Sequence, residues 1–486
     1  MERSRGTIRA KRERVFPVRL LIIAVCFALS GASAMAADDQ TSVPVTGVST
    51  TIGLTLPGAR PRTIELDAPT LFHTLTSDFF LQDDGTIFVQ TGDIPAMWLR
   101  DSSAQALPYT RFISAYPQLE PVMRGVIARD TKNILISAYA NAFTAAYKIW
   151  EEKWEVDSLA YPALLIWTYW QYTGDRSIFT TRLRWAFLHI VSTYECEQRH
   201  RTCSRYRSRF LQNDGSGASY ADTGMIWGAF RPSDDPVRYP FNIPQQMFAA
   251  RSLDYLASLS EIGYNDDGLA FRARELAAAI RMGVDQFAQV YDFRFGWLYA
   301  YEVDGAGNAQ LMDDANLPNL LAAPYLRTVA SRDALYIASR RFSLSNANPY
   351  YYRGRYAAGL GSPHTPTGWI WPLGIISAAI TSRTSGEVGE ALAQLRAVDG
   401  SKGLFYESVD PDRPWHFTRG EFGWANALYA ELIFRSVARL PANATQPGGL
   451  PDVLGRDSRT PAITSDIESW RAAATIYTAL TRILSD

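Results

Sequence analysis

Apolar residues recur at intervals of three and four along most of the chain beyond Ser102, and this period constrains the fold more than any other feature. Phe187, Ile190, Val191 and Tyr194 share one helix face. Phe248, Tyr255, Leu259 and Ile262 share another, with Gly263 as its stop, and Ala273, Leu276, Ile280 and Phe287 form a third. Asp157 and Ser158 stand where a cap would start a helix running to Tyr172, which Thr173-Gly174 ends, and Pro244 marks a further helix start. Helical stretches are also predicted over 332–343, 373–384, 386–397, 424–440 and 467–484. The alternation of a half-buried strand is scarce, with 86–89 after the Asp83-Asp84-Gly85 turn as a small exception. Each apolar stripe must be covered by another, so the expected fold class is all-α, with antiparallel helical hairpins closing into a toroid or bundle. No sequence repeat supports a solenoid of identical units.

The first part of the chain reads differently. Seven basic residues from Arg3 to Arg19 precede an apolar run over 20–29 and the small-residue stretch GASAMAA, the three-part pattern of a secretory signal. Residues 1–36 are therefore expected to be a signal peptide, cleaved after Ala34 or Ala36, with an apolar core too short to anchor the mature protein stably in a membrane. Residues 37–61, rich in Thr, Ser, Gly and Pro, read as a flexible linker, and 62–486 as one helical domain. The expected location is outside the cytoplasm, in the periplasm. Loss of Cys26 with the signal leaves Cys196 and Cys203, which an oxidising compartment would favour as a disulfide over two free thiols. The chain has five histidines, and none forms an H-x-H or H-E-x-x-H pair, so no metal site and no cofactor is expected. A formal net charge of −1 without a long basic run argues against a nucleic-acid partner.

The candidate chemistry lies in the loops. The stretch TGMIWGAFRPSDDPVRYPFNIPQQMF (223–248) sets Asp234 beside Asp235 between an aromatic, Gly-containing run and the Pro-marked helix start. Adjacent acids at a helix start are most often solvated or dipole-complementing groups. Five more loops share this composition: GDIPAMWLRDSSAQ (92–105), KWEVDSLAYP (153–162), DDANLPNLLAAPYL (313–326), GLGSPHTPTGWIWPLG (359–374) and GLFYESVDPDRPWHFTRGEFGWANALYAELI (403–433). Each joins hydrogen-bonding groups to aromatics and to Gly or Pro, a combination suited to the wall of a polar pocket. An aromatic content of 13% fits stacking on the C–H faces of sugars as well as it fits a core of large side chains.

Taken together these loops resemble glycoside hydrolase family 125, the exo-acting α-1,6-mannosidases, over about 62–435. The sequence departs from that pattern where Gly420-Glu421 precedes Phe422 and where Tyr406 precedes Glu407. The resemblance implies an (α/α)6 barrel and metal-independent, inverting removal of a non-reducing terminal mannose. The substrate it implies is an α-mannoside oligosaccharide, such as one derived from an N-glycan. Hydrolysis of this kind needs one carboxyl group to protonate the leaving oxygen and another to activate water. By the resemblance the acid lies at Asp234 or Asp235, with Asp234 preferred, and the base at Glu407. Arg100, Asp101, His364, Thr365 and Arg419 are candidates for holding the sugar hydroxyls. Trp98 and Trp227 are candidates for the sugar-facing aromatics, while Trp369, Trp371 and Trp424 either stack on sugar or line the core. Two other readings share the fold: a protein that binds mannosides without cleaving them, and a glycosidase or lyase for another linkage.

Overall fold

A computed structural model describes residues 68–114, 116–400 and 403–438, together with the short strands Phe16–Pro17, Thr50–Ile52 and Ile64–Leu66. Its longer helices are α1 (Ala68–Ser77), α2 (Leu99–Thr110), α3 (Leu119–Ile136), α4 (Val156–Thr173), α5 (Thr181–Glu197), α6 (Ile243–Tyr264), α7 (Asp267–Phe287), α8 (Ala334–Ser343), α9 (Pro372–Ile380), α10 (Ser385–Ala397) and α11 (Gly423–Ala438). Helix α2 packs on α4, α4 on α6, α9 on α11, and α11 back on α2, while α3, α5, α7 and α10 pack against these from outside. The buried turns over 317–326 complete the inner ring. Their Tyr325 lies under Arg435 of α11, 4.9 Å from the ring centroid. This is the (α/α)6 barrel, with small antiparallel strand pairs confined to the loops.

The apolar period that predicts the helices also explains how they pack. Tyr161 of α4 meets Phe248 of α6 edge-on at 4.9 Å and Trp424 of α11 at 6.1 Å, so one fully buried ring ties three inner helices together. Several starts are capped by a side-chain oxygen: Thr180 for α5, Asn242 for α6, Asp266 for α7, Asp333 for α8 and Thr384 for α10. Two expected helix ends need correction. Helix α4 begins at Val156 with Glu155 before it, so Asp157 and Ser158 lie inside the first turn instead of capping it. Helix α6 runs past Gly263 and is closed by Asn265 in the left-handed conformation. Gly263 answers a different need, since a Cβ there would stand 2.2 Å from the Phe179 ring.

The strand expected over 86–89 is present as Ile87–Val89, paired with Phe79–Leu81. The helix expected over 467–484, most of the linker and most of the signal segment lie outside the described residues. Among the described residues, no helix is long and apolar enough to cross a membrane.

Candidate active site

The starts of the inner helices meet at one end of the barrel. Arg100 and Asp101 open α2, Glu155 and Asp157 open α4, the Ser233-Asp234-Asp235 turn precedes α6, and Glu407 and Arg419 lie on the hairpin before α11. Helix N-termini favour negative charge, so carboxylates gathered there complement the dipoles. The Arg100 guanidinium organises the group: Nη1 donates to Glu155 Oε2 at 2.7 Å, Nη2 to Asp234 Oδ1 at 3.0 Å, and Nε to Asp101 Oδ2 at 3.2 Å. Asp157 Oδ2 stands 3.6 Å from Nη1, and the guanidinium carbon lies 5.5 Å from the Trp424 ring centroid.

The turn holding Asp234 is braced from below. Arg231 N donates to the Asp235 carbonyl, Asp234 N to the Arg231 carbonyl, and Phe230 bridges Pro236. Asp234 adopts a left-handed φ of 65°, a conformation that Asp tolerates better than bulky residues. Buried Glu302 accepts from Arg231 Nε at 2.5 Å and Nη2 at 3.1 Å, and also from the backbone N–H groups of Arg238 and Tyr239. A charged strut thus fixes both ends of the turn. Asp235 accepts from the Ser233 hydroxyl at 3.1 Å and pairs with His364 Nδ1 at 3.4 Å.

Four carboxyl groups around one guanidinium cannot all ionise at low cost. Two carboxylates about 4 Å apart repel by about 4 kcal/mol even at an effective dielectric constant of about 20. Burial, and then the charge and hydrogen bond of Asp234, push Glu155 well above the ordinary range, although Arg100 opposes them. Burial also opposes a charge on Asp234. The hydrogen bond from Glu155 and the charges of Arg100, Lys153 and His364 nevertheless hold it well below the usual carboxylate range. Burial raises Asp101 and Asp157 to about 6 each, against the pull of Arg100. For His364, burial works against the imidazolium, but the Asp235 hydrogen bond and the charges of Asp235, Asp234 and Glu407 push it up to about 9.

Glu407 sits just before the strand Ser408–Val409, which pairs with Phe417–Thr418, and Arg419 follows the second strand at a left-handed φ of 48°. The hairpin therefore brings Arg419 Nη1 to 3.5 Å from Glu407 Oε1. Arg419 is held from its other edge by Asp93 at 2.7 Å and by the Thr91 carbonyl. His364 links the two sides, being close enough to feel Asp234, Asp235 and Glu407 together.

The structure thus gathers Arg100, Asp101, Asp234, Asp235, His364, Glu407 and Arg419 into one site. Thr365 is adjacent, with its hydroxyl accepting from the Trp371 indole N–H at 2.8 Å. Trp98 precedes Arg100, is 7% exposed, and has an indole N–H with no protein partner. Trp227 requires correction as a sugar-facing aromatic. It is fully buried and stacks on His200 at 3.6 Å, which puts it in the core. Trp371 and Trp424 are also core residues. Cys196 and Cys203 are disulfide-bonded beside this stack, where buried Glu197 joins His200 Nδ1 and the Tyr139 hydroxyl.

Sequence reasoning did not assign Glu155, Asp157 or Lys153 to the site, reading Asp157 only as a helix cap, although all three lie in a motif loop. Their signal was an E-x-D pair at a helix start, too common to weigh alone. Among the described residues, His73, Asp78 and Glu421 have ligand atoms within 4.8 Å of one another. They already satisfy each other and their neighbours, with His73 on Glu421 at 2.6 Å and Gln105 donating to Asp78 at 3.2 Å.

Carboxyl groups on separate loops, with arginines and a histidine beside them, are the equipment for cleaving an acetal, and on this barrel they define a glycoside hydrolase. Residues 61–434 match the family of metal-independent α-mannosidases, glycoside hydrolase family 125, and the chain belongs to it. It is 39% identical to a Streptococcus pneumoniae metal-independent α-mannosidase solved in a non-productive complex with α-1,6-mannobiose. That match has a TM-score of 0.73 and covers 76% of this chain and 92% of the other. It is also 36% identical over 394 residues to the meiotically up-regulated gene 157 protein of Schizosaccharomyces pombe, covering 73% of this chain and 77% of that protein.

Proposed function

We propose that this α-mannosidase removes a terminal α-1,6-linked mannose from the non-reducing end of an oligosaccharide, with inversion at the anomeric carbon. The observation that carries the mechanism is the placement of Asp234 and Glu407 on separate loops, each beside its own arginine, with Arg100 Nη2 3.0 Å from Asp234 and Arg419 Nη1 3.5 Å from Glu407. The linkage is supported by the mannobiose bound to the Streptococcus pneumoniae relative. Asp234 protonates the glycosidic oxygen, and Glu407 takes a proton from the water that attacks C1 on the opposite face. Such a water requires a carboxyl separation of about 6.5–9.5 Å. Asp235, tied to Ser233 and His364, orients the turn and the imidazolium. Arg100 and Asp101 from one side, and Thr365, His364 and Arg419 from the other, offer donors and acceptors to the sugar hydroxyls. The unpartnered Trp98 N–H adds one more donor.

A panel of mannobioses, followed by proton NMR before mutarotation, tests this reading. β-Mannose should appear first from the α-1,6 disaccharide, and mannotriose should lose one terminal sugar at a time. Initial α-mannose, or binding without turnover, would overturn it. The protein is further proposed to be exported to the periplasm, a reading supported by the signal-like N-terminus and the Cys196–Cys203 disulfide. The mature mass should then begin after Ala34 or Ala36, and a mature protein that retains Met1 would count against it.

A further inference from the structure

We infer that Asp314, acting through Ser362, anchors the loop that presents the His364 imidazole and the Thr365 hydroxyl to the sugar. The part that concerns the sugar rests on the mannosidase reading above, and the part that concerns the imidazole does not. Asp313 and Asp314 open the 313–326 loop and are fully buried, with hydrogen bonds to backbone and to neutral side chains. Burying a carboxyl group is costly, so an acid kept there answers a directional need that an apolar side chain of the same size could not meet. For Asp313 that need is local, since it accepts from Leu320 N at 2.9 Å and Leu321 N at 3.0 Å and so folds its own loop. Asp314 reaches across 48 residues. Its Oδ1 is occupied by Asn316 N and Nδ2, both at 3.0 Å, which leaves Oδ2 to accept from the Ser362 hydroxyl at 3.1 Å.

The Ser362 hydroxyl has one proton, and Asp314 takes it. The oxygen is thereby left to accept, and it does so from His364 N at 3.2 Å, the first N–H after it, because Pro363 between them has none. Ala315 N adds a second tie between the loops, donating to the Gly361 carbonyl at 3.1 Å, and the Trp371 indole holds the Thr365 hydroxyl from the far end at 2.8 Å. Donors and acceptors thus run in one direction, from the His364 N–H through Ser362 to the buried carboxyl group. The position they set is a sensitive one. His364 Nδ1 stands 3.4 Å from Asp235 Oδ1, at the outer limit of a hydrogen bond, so a small movement of the loop away from Asp235 breaks the contact. The acids that face the ring, Asp235, Asp234 and Glu407, all belong to other loops, and none of them fixes the backbone that carries it. Asp314 and Ser362 act through His364 and Thr365, so they are positioning residues.

The test compares wild type with Ser362→Ala and Asp314→Asn. The first removes the hydroxyl that joins the two loops. The second keeps the shape but turns an amide donor towards Ser362, because Asn316 still claims the oxygen side. The wild-type His364 ring signal, identified by its absence from His364→Gln, should titrate at about 9. Either variant should lower that midpoint by about one pH unit or more, the amount an adjacent carboxylate contributes. On α-1,6-mannobiose, KM should rise about tenfold, as for one lost bond between a charged donor and a sugar hydroxyl, while kcat changes by less than about threefold. Residues that only pack would leave the midpoint and KM alone and show themselves in the unfolding curve. An unmoved midpoint in both variants overturns the anchor, and a lowered midpoint with an unchanged KM overturns its link to the sugar. Should Ser362→Ala fail to fold, Asp314→Asn decides by the same two readings. If wild type cleaves no mannoside, the mannosidase reading fails, and the midpoints still decide the anchor.

Discussion

His364 holds a positive charge through its neighbours, because burial by itself would lower its titration below the ordinary value. Its folded-state value of about 9 lies above the ordinary 6.5. The imidazolium therefore contributes to stability in full below pH 6.5, and the contribution is lost as the pH rises through 9. NMR titration of the His364 ring proton should show a midpoint near 9, and Asp235→Asn should bring it down towards 6.5. An unshifted midpoint in the wild type would mean that Asp235 does not face the ring in solution. Arg100 makes the opposite point, as a cation that its acids cannot do without. Arg100→Met fills similar space but leaves Glu155, Asp157, Asp101 and Asp234 together without their shared partner. Breaking a buried ion pair by removing one member costs about 3–5 kcal/mol. Urea unfolding at pH 7 should show a loss of that order, smaller at pH 5 where protonation relieves the repulsion. A loss below 1 kcal/mol at pH 7 would show that the carboxyl groups accept protons without strain.

At the scale of elements, the Arg231–Glu302 strut is what turns a helix-preceding loop into a rigid platform. Glu302 accepts from Arg231 and from two backbone N–H groups on the far side of the turn, so its charge sets where Asp234 points. Glu302→Gln keeps the shape but leaves buried Arg231 without a counter-charge. The expected result is a drop in kcat of about 10–100-fold, since a misplacement of about 1 Å can cost 10²-fold, with KM changed less. Steady-state kinetics on mannobiose checks it, and an unchanged kcat would mean that backbone bonds alone hold the turn. The helices themselves were legible because burial of a stripe repeats with the helix period, and Tyr161, Phe248 and Leu259 all fall on core faces. Their ends were less so. Gly263 reads as a stop signal, but the approach of Phe179 from a distant loop is what demands a glycine there. The same limit applies to the site. The motif loops mark where polar groups gather, yet the Arg100–Glu155 contact spans 55 residues and follows only from α2 lying beside α4. Trp227 shows the converse, since an aromatic in a polar loop looks the same in sequence whether it faces a ligand or stacks on His200.

For the whole molecule, the barrel places its chemistry at the helix starts on one end, and the described site owes its charge balance to arginine, lysine and histidine. Family membership in the metal-independent α-mannosidases predicts that a chelator leaves the hydrolysis rate unchanged. Activity that falls in chelator and returns with a divalent cation would point to His73, Asp78 and Glu421 as ligands. The disulfide acts on a different part of the barrel. It closes the end of α5 onto a short helical turn, with a sequence separation of 7, over the buried Glu197–His200–Trp227 stack. A small closed loop of this kind restricts the unfolded chain by about 2–3 kcal/mol, and the bond also holds His200 against Trp227. Cys196→Ser with Cys203→Ser should therefore lower the unfolding free energy by about that amount while leaving kcat within about twofold, because the stack lies outside the carboxyl site. Denaturant curves with and without reductant measure both halves of the claim. Reductant should destabilise the wild type and leave the double variant unmoved. A wild type indifferent to reductant would show that the bridge contributes nothing to the stability of the barrel.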